Sequence, residues 1–178
     1  YRGVVPPNSM AQEDQEWFSR LWDREGKEKR IGFFGTAEGS TYDTEASCLA
    51  AVEASMRPGG PKKDTVLVYL SAHGVTNGNG DPCLLLSSSK PLDECTWLPL
   101  NGFLEKIHER VQGKSGDGDP IKTVVFLDAS RMLWDPHLGL LYNGFNEQLA
   151  DVVQGIPGHL VLINSASVGE VGWHGPEY

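Results

Sequence analysis

A histidine and a serine that could act together each follow a short apolar run of this sequence. His73 and Gly74 come after the run 64–70, and Ser130 comes 57 positions after His73, behind the run 121–127. A hydroxyl or thiol nucleophile needs a base within hydrogen-bond distance, and imidazole is the commonest base. Gly74 has no Cβ, so its N–H could closely approach a carbonyl oxygen that gains negative charge. These residue types therefore predict nucleophilic attack on a carbonyl group.

The two apolar runs must form the elements that bring His73 and Ser130 together. Both are rich in branched aliphatic residues and do not alternate with polar ones, which predicts strands buried on both faces of a parallel sheet. The carboxyl ends of such strands meet at a crevice where ligands bind. We therefore expect His73 and Ser130 to lie together at one edge of a sheet.

The rest of the chain predicts helices and strands in alternation, and hence one α/β domain over residues 1–178 with a mostly parallel sheet. Two helix layers would enclose the sheet in a three-layer α-β-α sandwich. Because the chain opens on Tyr1 rather than Met, we expect the domain to be a piece of a longer protein. In the first half of the chain, the further predicted elements are a helix after Ser9 with Trp17, Phe18, Leu21 and Trp22 on one face, a strand at 31–34, a helix capped by Asp43 or Thr44, a hairpin strand at 83–86 and a polar loop at 87–96. The second half adds a helix after Pro99 with an apolar stripe, a helix from Asp135 through Val152 and a strand at 159–163. The stripe consists of Leu100, Phe103, Leu104, Ile107 and Val111.

Composition narrows the classes of partner. The net charge of −9 argues against nucleic acid, whose binding depends on clustered Lys and Arg, and is compatible with a basic substrate or partner. No run is long enough to cross a bilayer, so we expect no membrane contact from this segment. The three scattered cysteines, Cys48, Cys83 and Cys95, indicate core residues in a reducing compartment such as the cytoplasm.

No cofactor or metal site is expected. Gly113-Lys-Ser115 lacks both the preceding strand and the first glycine of a phosphate-binding loop. Asp117 and Asp119 are the nearest candidates for calcium ligands, but calcium usually takes six or more oxygens.

The two strand ends also carry a family resemblance. Ser71-Ala-His-Gly74 after one strand and Leu127-Asp-Ala-Ser-Arg131 after the next resemble the caspase–metacaspase group of cysteine peptidases, over roughly residues 64–173. The spacing is similar as well, because caspases place a histidine about 50 residues before the nucleophile. The likeness is greatest to bacterial caspase-like domains with Asp-x-Cys. It implies a caspase-like fold, His73 as general base, position 130 as nucleophile, and the N–H groups of Gly74 and residue 130 as oxyanion hole.

Ser130 departs from this family, which has cysteine there. A thiol ionises beside an imidazole, whereas a serine hydroxyl stays protonated, so the chain as written is expected to be nearly inactive. Either a Cys→Ser change has been made in an active peptidase, or the chain is a natural pseudopeptidase that binds peptides or proteins. The retention of His73, Gly74 and Asp128 favours the first explanation.

The resemblance further implies specificity. In metacaspase-like enzymes, an acid two residues before the nucleophile selects Arg or Lys in the S1 pocket, which here is Asp128. A carboxylate there would suit a guanidinium, although a strand-end acid also commonly caps the following turn. Ser165 and Glu170 follow the last strand, where related enzymes build another pocket wall. The implied substrate is a peptide or protein with a basic residue before the cleavage site, and a partner subunit or flanking domains are possible additions.

Overall fold

Five strands form one mixed sheet. The computed structural model describes residue 20 and residues 44–56, 65–86, 88–90, 92–113, 119–131, 144–156 and 158–168. In these residues the sheet order is β3-β2-β1-β4-β5. Strands β1, β4 and β5 run parallel to one another. Beyond β1 the sheet continues through β2 and β3, and the β1–β2 and β2–β3 pairs are each antiparallel. The strands are β1 Thr65–Thr76, β2 Pro82–Leu85, β3 Leu98–Pro99, β4 Lys122–Arg131 and β5 Leu160–Asn164.

The tight turn between β1 and β2 is built from polar residues. The Asn77 side-chain oxygen accepts hydrogen bonds from the N–H groups of Asn79 and Asp81, at 3.0 and 2.8 Å. Gly80 has φ of +90°, a conformation that residues with a Cβ rarely adopt. The carboxylate of Glu94 accepts a bond of 2.9 Å from the N–H of Gly78. The predicted hairpin is confirmed.

Three helices accompany the sheet: α1 Glu45–Ser55, α2 Leu100–Gln112 and α3 Phe145–Gln154. Thr44 and Ser47 form a reciprocal capping box at the start of α1, which confirms the predicted cap. The predicted apolar stripe of α2 is also confirmed, because all its members are at most 1% exposed. They are Leu100, Phe103, Leu104, Ile107 and Val111.

One hydrophobic cluster unites these helices with one side of the sheet, which we call the helix face. On β4 this face carries Val125, Leu127 and Ala129, each at most 1% exposed. Residues of all three helices belong to the same cluster. Alternation along each strand sends the intervening residues to the opposite face.

The expectation that the strands are buried on both faces is wrong for part of the opposite face. There Leu67, Val161 and Ile163 remain 45%, 51% and 45% exposed. The apolar, non-alternating composition of the strands predicted burial on both faces, but these three side chains are only partly buried.

A second correction concerns the helix that the sequence predicted to run from Asp135 through Val152. The described helix begins at Phe145 with Gly144 as its N-cap, so the helix that packs on the sheet is shorter. Glycine is more favourable at an N-cap than inside a helix. The predicted polar loop 87–96 also ends in a 3-10 turn, Glu94–Thr96, followed by the unexpected short strand β3.

The α/β class is confirmed for the described part of the chain. Apart from residue 20, which is helical, the predicted first helix lies outside the described residues, as do the strand at 31–34 and the segment 132–143. Among the described residues, no helix combines the length and hydropathy needed to cross a bilayer.

Candidate functional site

The opposite face of the sheet is ordered in rows, because paired residues of neighbouring strands lie side by side. The first row, at the carboxyl end of β4, contains Leu85, His73 and Ser130. The second row contains Ser71, Asp128 and, one rung beyond β5, Ser165. The third row contains Tyr69, Phe126 and Ile163, and the fourth contains Leu67, Val124 and Val161.

The chain thus brings His73 and Ser130 together in the first row. They are Cα partners in the parallel β1–β4 ladder, whose strands lie about 4.8 Å apart. His73 is 8% exposed, so little of it is accessible. The expectation that the two strand ends meet at one edge of the sheet is confirmed at the level of the backbone.

Asp128 occupies the middle of the second row. Its side chain is half-buried, and its Oδ2 accepts a hydrogen bond of 3.3 Å from the hydroxyl of Tyr69, which reaches up from the third row. Within the described ranges, neither of the salt bridges found involves Asp128. The Asp128 carboxylate therefore lies one row below His73 and has a neutral donor on Oδ2.

Ser165 flanks Asp128 on the other side. Its N–H donates to the carbonyl of Leu127 at 3.0 Å, which extends the parallel β4–β5 ladder by one rung, and its side chain is exposed. Ser165 is therefore brought next to Asp128 in the second row, and its predicted role in binding stays a prediction. Glu170 lies outside the described residues.

Side-chain amides hold the segment after β5 against the start of α3. Asn164 Nδ2 donates to Asn146 Oδ1 at 3.2 Å and also to the carbonyl of Ala166. Asn146, which is 4% exposed, donates from Nδ2 to the carbonyl of Ser167 at 3.1 Å. These bonds fix the path of the chain immediately beyond Ser165.

Gly74 has a packing role that the sequence did not reveal. A Cβ at this position would point to the helix face and lie 2.5 Å from Cδ1 of Phe145, whose side chain is fully buried. Gly74 is also flanked on both sides within the sheet, by Leu84 and Arg131. The close approach of α3 to β1 therefore requires a glycine here, and the oxyanion role of Gly74 stays a prediction.

Sequence reasoning missed Ser71 and Tyr69. Ser71 lies beside Asp128 in the ladder, and Tyr69 contacts its carboxylate. Counting back from His73 in steps of two gives both residues, because a strand returns to the same face every second residue. The sequence contains this two-residue period, but it identifies the neighbours of Asp128 only when the β1–β4 register is known.

The cysteines lie in three different environments. Cys83 is 1% exposed in β2, Cys48 is half-buried in α1, and Cys95 is exposed, which is contrary to the expectation of a core residue there. Burial, followed by the nearby carboxylates of Asp81 and Glu94, raises the pKa of the Cys83 thiol from 9.0 to about 11. Cys83 is consequently a poor nucleophile.

The described residues hold no cluster of metal ligands, and a cavity among them lies apart from the predicted site residues. Within the described ranges, no three His, Cys, Asp or Glu side chains come together as metal ligands, while the weak calcium candidate Asp117 lies outside them. A cavity of about 380 Å³ lies between the β1–β2 turn and helices α2 and α3, and its lining includes Asp81 and Asp151 but none of the predicted site residues.

Comparison of the chain with protein-family models, with curated proteins and with solved structures gives no match. Functional interpretation therefore depends on the residues of the first two rows and their arrangement.

Proposed function

We propose that this chain is a caspase-like cysteine endopeptidase domain that cleaves after Arg or Lys and is nearly inactive because position 130 is serine. The observation that carries the proposal is the β1–β4 register, in which His73 and Ser130 are Cα partners one row above Asp128. A base, a nucleophile position and an acid thus share one end of one sheet face. The three-layer, caspase-like arrangement of the whole domain is part of the same proposal.

In the active form, His73 accepts the proton of a cysteine at position 130, and the thiolate attacks the substrate carbonyl. The oxyanion is stabilised by backbone N–H groups, including that of residue 130. The protonated imidazole then donates its proton to the leaving amine. With Ser130 the hydroxyl stays protonated, and proton transfer and attack become much slower.

The second row supports specificity for basic residues. Two residues along a strand span about 6.6 Å, a distance comparable with the length of an extended arginine side chain. A substrate held with its scissile carbonyl at the first row would therefore bring its guanidinium to Asp128. The carboxylate and the hydroxyl groups of Ser71 and Ser165 are acceptors suited to the several N–H donors of arginine.

Two serines of the chain provide a matched test of this proposal. Ser130→Cys is expected to create cleavage of peptides with Arg or Lys before the scissile bond, and adding His73→Ala should abolish it. Ser165→Cys adds the same thiol one row lower, away from His73, and should create no cleavage. A folded Ser130→Cys protein that cuts none of these peptides contradicts the proposal, as does equal cleavage by both variants.

The serine itself favours a second candidate, a pseudopeptidase that binds basic peptides or proteins without cutting them. Asp128 and its neighbours are arranged independently of the atom at position 130, so binding does not require the thiol. This candidate predicts that Asp128→Asn weakens binding of an arginine-containing peptide. It also predicts that Ser130→Cys restores no turnover. The cleavage test above therefore separates the two functions.

A further inference from the structure

The hydrogen bond between Tyr69 and Asp128 affects how the Asp128 carboxylate can bind a basic side chain. Tyr69 is half-buried in the third row, and its hydroxyl donates to Oδ2 of Asp128 at 3.3 Å. Phe126, the Cα partner of Tyr69, separates it from Ile163 across the same row. Tyr69 thus lies beside Phe126 in the third row, and its hydroxyl is directed at the Asp128 carboxylate of the second row.

This bond constrains the carboxylate. Rotation of a free carboxylate about its terminal bond is broad, whereas a donor on one oxygen selects an orientation of the plane. The second oxygen, and the remaining lone pair of the first, stay available for other donors. A planar guanidinium makes two parallel bonds and needs both oxygens in its own plane, but an ammonium is a compact charge that adapts to either oxygen.

We propose that Tyr69 is a positioning residue that holds the Asp128 carboxylate for bidentate binding of a guanidinium, and thereby sets a preference for Arg over Lys. The inference rests on the proposed role of Asp128 in binding a basic side chain. It does not depend on cleavage, because the bond is formed with serine at position 130.

The test uses Tyr69→Phe, which removes only the hydroxyl. Binding of two N-acylated, C-amidated peptides that differ only in a terminal Arg or Lys is measured by calorimetry on the protein with Ser130. Tyr69→Phe is expected to weaken binding of the Arg peptide about three- to tenfold and to change binding of the Lys peptide less than about twofold, given the net strength of a single hydrogen bond. The Arg-to-Lys ratio therefore falls.

A double-mutant cycle shows whether Tyr69 acts through the carboxylate. In the Asp128→Asn background, Tyr69→Phe should produce no further loss of Arg selectivity. Ile163→Val is the control, because it removes one methyl group from the third row and leaves the Tyr69–Asp128 hydrogen bond in place. It should leave the ratio of Arg to Lys binding unchanged. An additive effect in the cycle, or an equal loss for both peptides, overturns the inference.

Turnover by Ser130→Cys separates this inference from the proposed function. If that variant cuts after Arg and Tyr69→Phe leaves its Arg-to-Lys preference intact, the Tyr69 inference alone fails. If it cuts nothing while Tyr69→Phe still lowers the binding ratio, the peptidase proposal fails and the Tyr69 inference stands. If the parent protein binds neither peptide, the assignment of Asp128 and the inference fail together.

Discussion

Leu127 and Asp128 are neighbours in β4, yet they belong to opposite faces of the sheet. Leu127 is 1% exposed among residues of three helices, whereas Asp128 is half-buried and bonded to Tyr69. On the helix face, Val125, Leu127 and Ala129 of β4 belong to the apolar core. The opposite face carries the polar residues of the proposed site in its first two rows. Alternation along β4 therefore places side chains that stabilise the fold on one face and those of the proposed site on the other.

Leu127→Ala is expected to lower the stability of the protein more than changes at Asp128, Gly74 or Leu67. It should lower the free energy of unfolding by about 2–5 kcal/mol, because it removes buried methyl groups and leaves a cavity. Asp128→Asn should cost about 1 kcal/mol or less, since it weakens one hydrogen bond of a half-buried side chain. Urea denaturation checks both values. Similar losses for the two variants would contradict the separation of the faces.

Gly74→Ala is expected to cost about 1–3 kcal/mol, because the new methyl group overlaps the buried ring of Phe145. In the Phe145→Leu background, the further cost of Gly74→Ala should be much smaller, which denaturation of the four proteins of the cycle would show. Equal costs in the two backgrounds would contradict the assignment of the cost to overlap with Phe145.

Some of this arrangement could be predicted from local sequence. The stripe of α2 was predicted completely, because a helix of period 3.6 buries residues that are close in sequence. The meeting of His73 and Ser130 was also predicted, since buried parallel strands end at a common edge. The contact of Gly74 with Phe145 was not, because it joins residues 71 positions apart through helix–sheet packing that periodicity does not specify.

The rows of the opposite face were missed for a similar reason. Ser71 and Tyr69 have the same parity as His73, but parity shows which residues share a face only after the partner strand and its register are known. Likewise, the exposure of Leu67 depends on what covers its face, and the composition of the strand does not contain that information.

Leu67→Ala sharpens the comparison by repeating the leucine truncation on the opposite face. Leu67 is 45% exposed, so we expect a loss of about 1 kcal/mol or less, against the larger loss at Leu127. The two single variants can be compared directly in urea. A loss at Leu67 as large as that at Leu127 would show that this side chain is more completely buried in solution.

An effect that depends on pH is expected at Cys83, in the buried part of the opposite face. Its pKa of about 11 lies above the ordinary value of 9.0, so the folded protein retains the proton when the unfolded chain loses it. This contribution to stability is present below pH 9 and is lost as the pH rises towards 11. The decline should be shallower in Cys83→Ala, as measured by urea denaturation across that range. An identical decline in both proteins would contradict the assignment.

The central claim is that His73 and position 130 form a base–nucleophile pair, and thiol reactivity tests it without any knowledge of the substrate. The rate of alkylation by iodoacetamide at position 130 of Ser130→Cys is followed against pH, with peptide mass spectrometry to separate it from the exposed Cys95. We predict that the pKa of the thiol at position 130 lies well below that of an ordinary cysteine and that His73→Ala raises it back to the ordinary value. An ordinary pH profile that is the same with and without His73 would contradict the account.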